Sequence, residues 1–398
     1  MIEARPAQNV GSAVAFAVDR VVAPVEAMHR VIAGNWFDPF GPAGAPIRKA
    51  HAVMARLAYG SVRLGADVAG FGFDQLSTVE PGTADSIQAF VNGLWGDDLG
   101  RYEDRLEITM TVRDRGGTPV TVGPDLAVAF PAATGRLVVL VHGLVETERC
   151  WSGSETEPGL AQALENVVGL TSISIRYNSG LRVSDNGALL SSLLEEISSD
   201  WPVPVESIAF VGHSMGGLVI RSACEAAHAA GHGWIGDVDD IVTVGTPHQG
   251  SPLEKFANAA AWGLGVTPVT VPLAEFVNRR SVGIKDLRFG AIVEDDWIGV
   301  DPDALLRDTV GGHTLPPGID HHFVAAVVTS DPTHPLGVAV GDLVVRPGSG
   351  TGGHNLEPRN VVLVGGKHHF GLLHERMVID SVLDWLAPTP ALRSTVQG

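Results

Sequence analysis

Ile208-Ala209-Phe210-Val211-Gly212-His213-Ser214-Met215-Gly216-Gly217 joins an apolar run to a small-residue helix start through the pattern G-x-S-x-G. Ser207 to Val211 has the composition of a buried parallel strand, and Leu218, Val219, Ser222, Cys224 and Ala227 continue as a helical pattern. A strand that turns this sharply into a helix holds its serine in a strained bend with the hydroxyl above the sheet. Gly212 and Gly216 suit such a bend, because a side chain at either position would collide with the neighbouring strand or helix as the backbone reverses. A chain with 48 glycines offers many chance matches to the bare pattern, so the strand before it and the helix after it are what give it meaning. Ser214 is the candidate nucleophile.

Outward from this bend, the chain from residue 136 alternates strands with helices, the rhythm of a doubly wound, mostly parallel sheet. Strands are expected at Leu137 to Val141, Leu170 to Tyr177, Ser207 to Val211, Ile241 to Val244, Phe323 to Val328 and Val361 to Val364. Helices are expected at Gly159 to Asn166, Gly187 to Ser199, Gly216 to Ala230 and Met377 to Leu386. Leu106 to Val112 and Pro119 to Val122 flank a turn and read as a hairpin. Between about residues 251 and 320 the alternation stops, which is too long for an ordinary connection and marks a cap insertion beside the strand ends. Residues 1–100 form an N-terminal helical segment, and residues 101–398 the catalytic domain with its cap. Within the segment, helices over residues 10 to 75 are expected to break at Pro24 and at the turn cluster Asn35 to Pro42, with a looser stretch from Ser77 to Gly100.

Composition narrows the function. The 398 residues carry 27 basic and 45 acidic side chains, a net charge of -18, which repels phosphate backbones and anionic lipid surfaces and makes nucleic acid an unsuitable partner; no local basic patch stands out in the sequence. Two cysteines, Cys150 and Cys224, give no disulfide framework. The N-terminus lacks the basic start and unbroken apolar stretch of a secretory signal, so a cytoplasmic location is the default expectation. Charged residues interrupt Val10 to Ile32 well before a membrane span, leaving an amphipathic helix; contact of these N-terminal helices with a membrane surface is the alternative to a plain packing role.

A serine hydroxyl needs a histidine to take its proton and a carboxylate to orient that histidine. Asp342, shortly after the strand at Phe323, is the expected acid, and Asp331, nearer the strand end, is the runner-up. His368, His369 and His374 follow the last strand and supply three candidate bases. Oxyanion donors are expected from the backbone N–H of Met215, at the helix start, and of Leu144, aimed into the site by the tight approach that Gly143 permits. His142 reads as a hydrogen-bonder holding that loop. No metal is expected, because the pairs His321-His322 and His368-His369 diverge and no H-E-x-x-H occurs. No cofactor is expected either, since the first core strand leads into His142-Gly143-Leu144 and not a G-x-G-x-x-G turn.

Taken in order, Val139 to Leu144, the Ser214 elbow, Thr243-Val244-Gly245-Thr246-Pro247-His248-Gln249-Gly250-Ser251, Gly341-Asp342-Leu343-Val344-Val345 and His369-Phe370-Gly371-Leu372-Leu373 resemble the α/β-hydrolase superfamily. The resemblance spans about residues 136 to 388 and is strongest to bacterial triacylglycerol lipases and GPI inositol-deacylase-like serine esterases. It implies an α/β-hydrolase fold, and His369 as the base, because the histidine in those relatives precedes an aromatic or apolar residue and a Leu-Leu pair. Many relatives have a second glycine after the acid, where Leu343 stands here. The implied activity is that of a serine carboxylic-ester hydrolase, esterase-like or lipase-like, acting on a small-molecule or lipid ester with an apolar acyl group. An acyltransferase, a polyester depolymerase and a non-catalytic lipid- or partner-binding scaffold are the alternatives that the same fold admits.

Overall fold

The computed structural model describes residues 10–37, 41–42, 45–76, 81–99, 106–153, 158–268, 270–353 and 356–387. Three helices come first, α1 (Val10–Phe37), α2 (Ala45–Leu76) and α3 (Pro81–Leu99). A hairpin of β1 (Thr111–Arg113) and β2 (Pro119–Val120), then α4 (Pro124–Ala129), lead into β3 (Arg136–Val141). The alternating core follows with α5 (Leu160–Glu165), β4 (Leu170–Arg176), α6 (Val183–Asp200), β5 (Ser207–His213), α7 (Met215–Ala230) and β6 (Val238–Val244). The insertion carries α8 (Pro252–Leu264), α9 (Val271–Asn278) and α10 (Val282–Asp286). The chain returns through β7 (Asp320–Val327), α11 (Pro335–Val340), α12 (Pro347–Gly350), β8 (Asn360–Gly365) and α13 (Arg376–Leu386).

The eight strands make one sheet in the order β2-β1-β4-β3-β5-β6-β7-β8. All pairs from β4 to β8 are parallel, and only the hairpin runs antiparallel to its neighbours. Side chains of a strand alternate between faces, and β3 shows what that does here. Leu137, Val139 and Val141 enter one apolar layer with α6 and α7, while Val138 and Leu140 enter the opposite layer with α5 and α13. Both faces are therefore covered, which is why these strands read as nearly continuous apolar runs. With this order and a strand-to-helix elbow at the end of β5, the architecture is the α/β-hydrolase fold.

Two expectations for the N-terminal segment need correction. The helix does not break at Pro24, which lies inside the continuous α1; packing along α2 outweighs the loss of one backbone hydrogen bond. The stretch expected to be loose is mostly helix α3, whose Ile87, Val91, Trp95 and Leu99 recur every fourth residue and pack with Ala13, Phe16 and Leu106. A kink at Trp95, where the backbone leaves helical angles, and the glycines around it obscure that spacing in the sequence. Of the Asn35 to Pro42 cluster, residues 38–40 lie outside the described residues.

The N-terminal helices are tied to the rest by specific bonds. Arg176 on β4 is buried and holds Asp85 of α3 with two bonds of 2.9 Å while also pairing with Glu148. Ser281, just before α10, donates its hydroxyl to the Gly93 carbonyl of α3 at 2.6 Å. Within the insertion, Arg280 and Arg288 converge on Glu254 of α8 at 2.7 Å and 2.9 Å, a clamp that closes α8 over α10. Helix α2 rests chiefly on α1, and α1 in turn touches α3 and α9.

Candidate active site

β5 ends at the C-terminal edge of the sheet, and the backbone reverses at Ser214 with φ 51° and ψ -120°. A non-glycine residue pays strain in that left-handed conformation, and such strain is kept only where the surroundings enforce it. The Ser214 N–H bonds to the Val244 carbonyl of β6 at 2.8 Å. A Cβ on Gly216 would fall 2.2 Å from the Val141 carbonyl oxygen, and one on Gly212 2.6 Å from the Gly217 nitrogen, so both positions need hydrogen as their side chain.

His369 follows β8 and is buried. Its Nδ1 lies 2.7 Å from Asp342 Oδ2, and its backbone N–H bonds to the Asp342 carbonyl at 3.0 Å. The other carboxylate oxygen of Asp342 accepts from the N–H groups of Val344 and Val345, at 2.9 Å and 2.7 Å. The carboxylate is thus fully bonded, and with Nδ1 donating to it the lone pair of His369 sits on Nε2. That nitrogen is buried and bonded to none of the described residues, Ser214 included. The ring stands 5.0 Å, centroid to centroid, from His213, the neighbour of Ser214, and against the end of β6 at Gly245. Asp342 and His369 are therefore a direct pair beside the elbow. Asp331 is elsewhere and exposed; its carboxylate, held below the usual range by bonds from Thr333, closes a local turn. His368 and His374 are exposed, and His368 caps the turn that contains His369.

Leu343 supplies the tight turn between the acid and its backbone donors. It has φ 84°, a conformation that favours glycine, and its side chain is exposed. The turn geometry is therefore retained with a strained leucine.

The loop after β3, where the oxyanion donor Leu144 is expected, is locked on three sides. The Gly143 N–H donates to Glu146 Oε2 at 2.7 Å, the Glu146 N–H to the Gly143 carbonyl at 3.4 Å, and the Val145 N–H to Ser179 Oγ at 3.1 Å. Leu144 alone in this turn keeps an N–H without an acceptor among the described residues. Met215 opens α7, where helix geometry leaves the first N–H groups without intrahelical partners and adds the positive end of the dipole. A Cβ on Gly143 would lie 3.0 Å from Ser214 Cβ and 2.8 Å from Glu146 Oε2, which shows how closely the loop approaches the elbow. His142 holds the loop from below. Its Nδ1 meets the Gly143 carbonyl at 2.8 Å, its Nε2 accepts from the Tyr177 N–H at 3.3 Å, and its ring stacks on Tyr177. Both nitrogens are thereby used by one neutral tautomer, and burial pushes its pKa down to about 4.

Sequence reasoning missed Glu146 and His213. His213 Nδ1 lies 2.7 Å from the same Glu146 oxygen that accepts from Gly143, so one carboxylate ties the loop after β3 to the residue preceding Ser214. Burial alone would raise the Glu146 carboxyl, but the His213 charge and hydrogen bond, with the Gly143 N–H, hold it below its ordinary value. The only signal in the sequence is the carboxylate three residues after Gly143, which is too common to single out.

Above the elbow, α10 closes in: a Cβ on Gly283 would fall 2.4 Å from the Ser179 carbonyl oxygen and 3.0 Å from Met215 Cε. Ser214 is 6% exposed. A cavity of about 460 Å³ opens instead between Arg221, His248, Phe289 and His313, and neither Ser214 nor His369 lines it. Among the described residues no cluster of His, Cys, Asp and Glu could hold a metal ion, Cys150 and Cys224 are free, and no helix is long and apolar enough to cross a membrane.

Residues 174–303 match the family described as the PGAP1-like alpha/beta domain, a stretch that runs from β4 through the elbow and the cap. No curated protein matches the chain significantly. Among solved structures, the chain is similar to the mature form of the lipase BlEst2 of Bacillus licheniformis, at 20% identity and TM-score 0.43, over 70% of this chain and 98% of that one. It is also similar to the phospholipase PlaB of Legionella pneumophila, at 15% identity and TM-score 0.39, over 64% of this chain and 58% of that one.

Proposed function

We propose that the protein hydrolyses carboxylic esters through an acyl-serine intermediate. Ser214 Oγ attacks the ester carbonyl carbon while His369 Nε2 takes the hydroxyl proton, and Asp342 holds the imidazole in the tautomer that leaves Nε2 free to do so. The carbonyl oxygen, now an anion, is received by the N–H groups of Leu144 and Met215. Collapse of the tetrahedral adduct expels the alcohol, which takes the proton back from Nε2. A water molecule then repeats the sequence on the acyl-serine, releasing the acid and restoring the hydroxyl.

One observation supports this reading above the rest. The serine is held in a strained elbow beside a buried imidazole whose Nδ1 is committed to a carboxylate and whose Nε2 is bonded to none of the described residues. Buried His213 and His321 also leave ring nitrogens unbonded, so the support comes from the strained serine, the imidazole and its carboxylate standing together and not from the free nitrogen alone. With Ser214 6% exposed, an acyl chain needs the surrounding loops to yield for it to enter.

The test is a chain-length series of p-nitrophenyl esters with the wild type and Ser214→Ala, run beside labelling by a fluorophosphonate. Hydrolysis and labelling are expected in the wild type, and both should vanish in the variant. A folded wild type that neither turns over any ester nor takes the label would refute the proposal.

A further inference from the structure

Helix α2 is 32 residues long, about 48 Å, and rests chiefly on α1, so most of its circumference faces solvent. Ile47, Met54, Leu57, Leu64 and Phe71 follow the spacing of a single apolar ridge and are 63–69% exposed. On α1, Val14, Val21, Val25 and Ile32 repeat the arrangement and are likewise exposed. An apolar surface of this length on a chain of net charge -18 requires a cover.

The charges beside the ridge indicate what the cover is. From Ala45 to Ala66 the helix has Arg48, Lys49, Arg56 and Arg63 and no acidic residue, although Arg63 is spent on Asp19 and Glu26 of α1. Where the end of α1 meets the start of α2, a groove of about 300 Å³ is lined by His29, Arg30, Arg48, His51 and Arg56, with Glu26 as its one acid and alanines as its floor. A local excess of cations on a strongly acidic protein, set beside an apolar ridge, matches a surface that offers both hydrocarbon and negative charge. A second copy of α2 packed in parallel fits less well, since it would bring cations against cations; an antiparallel copy would set them toward the Asp67 and Asp74 end of the helix, and the dimer outcome of the test separates it from a lipid surface.

We propose that the α1–α2 hairpin docks the protein on an anionic phospholipid surface, the ridge entering the interface and the groove taking a headgroup phosphate. The inference stands apart from the hydrolytic reading, since neither helix contributes a residue to the Ser214 site.

The experiment is co-sedimentation of the full chain with vesicles of phosphatidylcholine alone and of phosphatidylcholine with about one third phosphatidylglycerol, at low and high salt. The protein should pellet with the anionic vesicles at low salt and be released by high salt. Lys49→Gln with Arg56→Gln should weaken binding by about fivefold per charge, on the order of 30-fold together. Leu57→Gln with Leu64→Gln and Phe71→Gln should abolish it, while the far-ultraviolet spectrum and the melting midpoint stay those of the wild type, since all three side chains are exposed. Unchanged binding in either variant would overturn the proposal. So would release of the bound protein by millimolar inorganic phosphate at constant ionic strength, which would make the groove a site for free phosphate. A vesicle-free dimer that the triple variant converts to monomer, with no pelleting of the wild type, would assign the ridge to a second copy instead.

Discussion

Replacing Asp342 by asparagine tests the site at the atom that decides which nitrogen of His369 is protonated. In the native arrangement one carboxylate oxygen accepts from the N–H groups of Val344 and Val345, and the other accepts from His369 Nδ1. An asparagine can keep the two backbone bonds only by placing its amide oxygen where those donors point. Its NH₂ then faces Nδ1, which has to become an acceptor, so the ring proton moves to Nε2 and the serine loses its base. A histidine fixed in the wrong tautomer costs about 10⁴ in kcat, or about 5.4 kcal/mol of transition-state stabilisation. Initial rates on p-nitrophenyl butyrate would measure the loss, and thermal unfolding would show whether the nearly isosteric change leaves the fold intact. Activity within about tenfold of the wild type, in a folded variant, would refute both the tautomer argument and the placement of Asp342 in the reaction.

Glu146→Ala frees the Gly143 N–H and His213 from their shared anchor, and kcat should fall about 10- to 100-fold with KM little changed, because the oxyanion donors lose their aim and not the substrate its pocket. Leu343→Gly should stabilise the fold by about 1 kcal/mol in urea unfolding, since glycine accepts φ 84° without the leucine's strain. Asp85→Asn should destabilise at pH 7 by about 2 kcal/mol, less than the loss of a sole buried partner because Glu148 stays on Arg176. Burial would raise the Asp85 carboxyl, but Arg176 and Arg149 hold its pKa below the ordinary value; its contribution is therefore complete above about pH 4 and lost as pH falls through the folded-state pKa, so wild-type and variant stabilities should converge in strong acid.

The elements that bury both faces of a sheet were the readable ones. β3 and β5 announce themselves as apolar runs, and the expected and observed limits of β3, β4 and β8 differ by a residue or so, whereas β6 and β7 begin three residues before their expected starts, in the polar stretches Val238-Asp239-Asp240 and Asp320-His321-His322. The elbow was legible for a related reason: Ser214 sits where β5 ends and small residues allow a sharp turn. Asp342, which follows α11, and His369, chosen among three histidines, were expected from the motif order that the resemblance supplies, and the two side chains meet in the structure. α3 was not legible, because its apolar residues lie four apart among glycines and acids that read as loop, and because its partners Val145 and Arg176 are distant in sequence. The continuity of α1 through Pro24 was hidden likewise, since it depends on α2. Glu146 and His213 meet across 67 residues, and no local spacing encodes such a meeting.

The backbone of Ser214 is held at a cost. With φ 51° and ψ -120°, a glycine there would relieve about 1–3 kcal/mol of strain, a large share of what separates a working domain from a failing one. Leu343 bears comparable strain with no hydroxyl to offer. The strain at Ser214 therefore gains its meaning from the company it keeps, the carboxylate-held imidazole beside the elbow.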